Sequence, residues 1–209
     1  LLQATFGRGE VKQRANPWIK GSLDQTLAAV IKLRGSQRKC RLYCVACCRL
    51  VIHRIKQPEC RALIDLAEAF ADDPSVRAEV LKQRRKVSRW AGGANLSWIP
   101  SYSAYMSADP VRKSPCTGFV RPLKFRRLLF DVYGFPDTRV IFTPEWRSDT
   151  AVSLAKHIYE ARDFSTMPIL ADALQDAGCD NADILSHCRD TQQVHVRGCW
   201  VVDLVLGKT

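Results

Sequence analysis

No apolar run in this 209-residue chain approaches the roughly 18 residues needed to cross a bilayer, so no membrane-spanning helix is expected. No charged-then-apolar leader opens it, so no secretion signal is expected either. The full glycine-rich phosphate loop, the Gly-x-Ser-x-Gly elbow and the His-Glu-x-x-His pair are all missing. Their absence removes the short signatures of nucleotide, ester and zinc-protease chemistry. Gly-Arg-Gly at 7–9 is only a fragment of a phosphate loop.

What is present suits a folded helical protein. Apolar residues make up 46% of the chain, enough for a real core. Nine cysteines, an odd number at helix-like spacings, read as reduced thiols in a cytosolic protein rather than a disulfide scaffold. The net charge of +11 is uneven: residues 1–127 hold 25 Lys+Arg against 9 Asp+Glu, whereas residues 128–209 hold 7 against 12. That asymmetry suggests a basic surface meeting nucleic acid or an acidic protein. The alternative is a scaffold or adaptor whose two halves neutralise each other internally.

The organising stretch is 36–56. It lacks Gly and Pro, starts at a Ser suited to an N-cap, and carries four cysteines. At about 100° per residue Cys40, Cys44, Cys47 and Val51 share one face. Arg38, Arg41, Arg49, His53 and Lys56 gather opposite, interrupted by Leu42, Val45 and Ile52. This predicts a central helix, enclosed on more than one flank, with a cysteine seam. A capping box at Ser22 to Gln25 precedes it, and a helix opening at Pro58 and one capped at Asp73 follow. Residues 92–120 are rich in Gly, Pro and aromatics and read as irregular. Pro122 opens a helix that Gly134 stops, and residues 138–144 read as a strand or an extended connector. Helices are then expected after Ser148, Ser165 and Asn181, with Ile169 facing inward on the second, and the apolar end from Cys199 favours helix. The expected fold is mainly α, a multi-helix bundle of two packed helical units. A basic unit spans 1–91, a connector 92–121 and an acidic unit 122–209.

Three groupings bear on chemistry. Lys82, Arg85, Lys86, Arg89, Lys124, Arg126 and Arg127 form basic stripes that suit nucleic-acid contact. Cys179, Cys188, His195 and Cys199, with His187 nearby, are the candidate ligands of a zinc ion, which takes four N or S donors. Cys44 and Cys47 have Cys-x-x-Cys spacing but fall mid-helix, where nothing lowers a thiol pKa, so a packing seam is the favoured reading. No catalytic residue is assigned. An enzyme would need His187 or His195 to meet a thiol within hydrogen-bond range in a pocket.

The segment Arg38 to Arg49 (RKCRLYCVACCR), with Pro168 to Cys179 (PILADALQDAGC) and His195 to Gly207 (HVRGCWVVDLVLG), resembles a paralogous family of planctomycete bacteria. Its members are small helical proteins or repeat-companion domains. The resemblance covers about 22–72 and 122–209. Such chains tend to carry Phe-Gly-Asn-Pro where this one has Tyr133-Gly-Phe-Pro136. The family implies fold and host, and brings no activity.

Overall fold

The protein is described by a computed structural model covering residues 36–88, 122–134 and 140–208. The expected irregular start, the Ser22 helix, Arg89, Trp90 and the 92–120 loop lie outside the described residues. Within them the protein is a mainly α multi-helix bundle, with eight α-helices and no strand. They are α1 (Gln37–Leu50), α2 (Pro58–Asp72), α3 (Arg77–Ser88), α4 (Pro122–Tyr133), α5 (Asp149–Ala161), α6 (Met167–Asp176), α7 (Ala182–Arg189) and α8 (Trp200–Leu206). Among the described residues no helix is long and apolar enough to cross a membrane.

Local chemistry sets the boundaries. The Ser36 hydroxyl accepts the Lys39 amide at 3.1 Å and starts α1. After Leu50 the backbone tightens into a 3₁₀ turn over Ile52–Arg54, so α1 ends short of the expected Lys56. The Arg61 guanidinium takes the freed Ile55 carbonyl at 2.7 Å. Asp73 caps a 3₁₀ turn at Pro74–Val76 that leads into α3. Ser148 caps α5, and Asn181 Oδ1 accepts two amides at the start of α7. Of the expected strand or connector at 138–144, residues 138 and 139 lie outside the described residues; 140–143 form no strand, and from an extended Thr143 the chain enters a 3₁₀ turn at Pro144–Trp146. The C-terminal run is helical.

Every residue of α1 from Arg41 to Cys48 is buried, because the helix serves two cores at once. Tyr43, Cys44, Ala46 and Cys47 pack against Phe125, Leu128, Leu129 and Val132 of α4. Val45 and Cys48 face Cys60, Leu63, Ile64 and Ala67 of α2, with Val80 and Val87 of α3 behind them. The third core joins α5, α6, α7 and α8 through Ile158, Leu170, Leu174, Ile184 and Val202. Ile169 of α6, expected inward, is instead exposed.

The basic side of α1 departs from expectation. Arg38 bonds Asp72 at 2.9 Å and Asp203 at 2.8 Å, and Lys39 reaches Asp203 at 2.5 Å. Arg49 pairs with Asp65 and Glu68, while Arg41 is buried with its guanidinium 4.2 Å from the Phe70 ring centre. These cations are spent inside the molecule. His53, Arg54 and Lys56, beyond the helix end, are exposed.

A candidate metal centre

Asp131 sits in α4 inside the run Leu128 to Tyr133, where every neighbour is apolar. A fully buried carboxylate in such a stripe requires partners. Two imidazoles supply them. His195 Nδ1 lies 2.8 Å from Asp131 Oδ1, and His187 Nε2 lies 3.3 Å from the same oxygen. The other carboxylate oxygen accepts the Val196 amide at 2.8 Å. Burial works against ionisation of Asp131, but the hydrogen bonds from His187 and His195 outweigh it and hold the carboxyl below its ordinary value.

The fourth member is Cys199. Its sulfur lies 3.2 Å from His187 Nε2 and 3.9 Å from His195 Nδ1. The chain delivers it by a tight turn, in which the Cys199 amide bonds the Val196 carbonyl at 2.9 Å and Gly198 takes φ +94°. A side chain at Gly198 would also meet Leu42 Cδ1 at 2.7 Å. The loop from His195 to Cys199 is thus pressed onto α1, and Lys39 Nζ bonds the Gly198 and Val132 carbonyls.

Together Asp131, His187, His195 and Cys199 bring one donor atom each to within 4.8 Å of one another. Zinc bonds of about 2.0–2.3 Å in a tetrahedron separate neighbouring donors by roughly 3.3–3.7 Å. The spacings of 2.8, 3.2, 3.3 and 3.9 Å bracket that value. Two imidazoles, a thiol sulfur and a carboxylate are a donor set suited to zinc. All four side chains are enclosed: Asp131 and Cys199 are fully buried, and the side chains of His187 and His195 are 9% and 5% exposed. Such a shell is closed, like that of structural zinc sites.

The His187–Cys199 contact also meets the distance an activated nucleophile would need. Access and charge argue against that use. Burial and the Asp131 charge push the Cys199 thiol well above its ordinary value, and its sulfur is sealed from solvent. A nucleophile needs a thiolate that substrate can reach.

Of the residues picked from sequence, the structure brings His195 and Cys199 into this group and leaves Cys179 and Cys188 out of it. Those two lie in the C-terminal core, where burial raises both thiols, Cys188 to about 12. His187 and Cys188 are adjacent on α7 and point apart, one to the site and one to the core. Asp131 was missed; the signal was an acid within an apolar helical stripe. Of the basic stripes, Lys82, Arg85, Lys86, Lys124 and Arg127 are exposed and Arg126 is half-buried. Their helices have different supports: α3 rests on α2, whereas α4 rests on α1 and α8. Cys44 is pushed well up by its hydrogen bond to Cys40 and by burial, which suits a seam rather than a redox pair. None of the eight described cysteines is in a disulfide.

Comparison with protein-family models, curated proteins and solved structures finds no match.

Proposed function

We propose that this chain is a non-enzymatic binding or adaptor domain, stabilised by a structural zinc ion held by Asp131, His187, His195 and Cys199. The observation that carries this reading is the enclosure of four complementary donors from α4, α7 and the loop entering α8. An ion there clips the C-terminal elements onto α4, and through it onto α1. It also resolves the chemistry of the group, since a divalent cation replaces the protons that a buried thiol and two imidazoles would otherwise share. Melting of the purified protein with and without a strong chelator tests this. The expected outcome is a large drop in Tm on chelation, restored by zinc and not by magnesium. An unchanged melting curve would remove the proposal.

A second reading concerns the partner. Lys86 and Lys124 are exposed and, among the described residues, have no carboxylate partner, unlike the cations of α1. They favour nucleic acid or an acidic protein as the bound species. Titration of DNA and RNA at increasing salt decides: nucleic-acid binding predicts an affinity that falls steeply with salt. Salt-insensitive binding, or none, leaves the adaptor whose charges pair internally.

A further inference from the structure

The outer face of α3 and the groove between α5 and α6 carry opposite charges around apolar centres. Val80, Gln83 and Val87 turn the inner face of α3 onto α2, where Gln83 Nε2 donates to the Glu59 carbonyl at 2.9 Å. Leu81 is left on the outside, 42% exposed. Arg77 and Arg85 stand one turn to either side of it, both exposed, and the small Ala78 leaves the approach open. Among the described residues neither arginine pairs with a carboxylate, whereas Glu79 of the same helix is taken by Lys82.

The second surface is a groove of about 380 Å³ between the start of α5 and α6. Its apolar lining is Leu154, Ile169, Ala173 and Ala177, of which Ile169 is 55% exposed. Asp172 and Asp176, about one and two turns along α6 from Ile169, give it a negative edge. Arg189 takes one oxygen of Asp172, whose side chain stays 68% exposed. Asp176 has no cation partner among the described residues. Leu81 does not line this groove, so the two surfaces do not satisfy each other within one molecule.

A single exposed leucine or isoleucine is ordinary on a protein surface. The match between the two is what points to a pairing. One helix presents an apolar side chain between two cations, and another presents an apolar trough beside two carboxylates. Ala173 and Ala177 keep that trough deep enough for a branched side chain to enter.

We propose that the chain self-associates through these surfaces, with Leu81 of one copy seated in the α5–α6 groove of a second. Arg77 and Arg85 then lie against Asp172 and Asp176 of that second copy. Different patches meet, so the contact is heterologous and each copy keeps one unused half for a further copy. One helix in one groove is a small contact, so the association is weak, and its charge pairs make it sensitive to salt. It goes beyond the metal and partner readings, since neither surface includes a metal ligand.

Sedimentation velocity of the full chain, over a concentration series reaching about 1 mM, tests this. The average mass is expected to rise with concentration and to fall back to the monomer as salt is added. Leu81→Glu and Ile169→Lys, both at exposed positions, are each expected to remain monomeric with an unchanged circular dichroism spectrum. Mixed together, they are expected to form a one-to-one dimer, because the first keeps its groove and the second keeps its α3 face. A native chain that stays monomeric throughout overturns the proposal. So does self-association that persists in either variant, association that salt does not weaken, or a mixture of the two variants that stays monomeric.

Discussion

Gly198 shows how much a single backbone position carries. Its φ of +94° completes the turn that places Cys199, and its missing side chain lets the loop lie against Leu42. Alanine there meets both a strained backbone and a clash with a buried side chain on a packed helix. We expect Gly198→Ala to destabilise by roughly 2–4 kcal/mol in chemical denaturation, and to lower metal content with it. A cost below about 0.5 kcal/mol would mean that the loop is not pinned to α1. Asp131 teaches a related lesson. Its neighbours Leu128, Leu129 and Val132 announced a buried helical face, which marks Asp131 as an acid in need of partners, yet nothing local names those partners, two imidazoles 56 and 64 residues downstream. His195 and Cys199 were legible because they lie four apart; Asp131 was not, because its partners meet it only in the folded chain.

Among the elements, α1 was the most readable, because an uninterrupted segment with a capping Ser and a small-residue face has few alternatives. Its cysteines are placed where a neighbouring helix comes close: Cys47 faces α4 and Cys48 faces α2. The seam reading predicts an asymmetric response to side-chain size. Cys47→Ala is expected to cost about 1–2 kcal/mol, and Cys47→Leu to cost more by overpacking against Phe125 and Leu129. Neither is expected to change metal content. Loss of metal from Cys47→Ala would move the centre to α1. The end of the helix was less legible. Val51 and Ile52 continue the apolar pattern, while the backbone already tightens to 3₁₀ there, a choice that periodicity does not record. Ile169 likewise pairs with Ala173 by spacing, but α6 buries chiefly the face of Met167, Leu170, Ala171 and Leu174, and Ile169 is turned away from it.

Over the whole molecule, the charge imbalance between the halves is partly consumed internally, in both directions. Asp203 of α8 takes Arg38 and Lys39 of α1, while Asp72 of α2 takes Arg197 and Lys208 from the C-terminal side. Composition disclosed the asymmetry but could not say which cations would be taken. Asp72 also accepts the Tyr159 hydroxyl at 2.6 Å. Burial opposes its ionisation, but the Tyr159 bond and Arg38 outweigh this and keep its pKa below the ordinary value. A carboxylate whose folded pKa is depressed contributes stability that is complete above its unfolded pKa of about 3.9, and lost as pH falls through the lower folded value. Denaturation curves between about pH 5 and pH 2 are therefore expected to show falling stability. Asp72→Asn is expected to flatten part of that slope and to cost about 2–4 kcal/mol at neutral pH, because Arg38, Arg197 and Lys208 lose their shared partner. An unchanged slope in the variant would place the acid sensitivity elsewhere.

The centre itself can be weighed most directly by the ratio of zinc to protein in material purified from metal-controlled buffer. It is to be measured in the native chain, in Asp131→Ala, and in a double variant with Cys179→Ala and Cys188→Ala. The account predicts one zinc per chain in the native protein and in the double variant, and a large loss in Asp131→Ala. Zinc retained by Asp131→Ala but lost from the double variant, or absent from the native chain after growth with zinc, would contradict it.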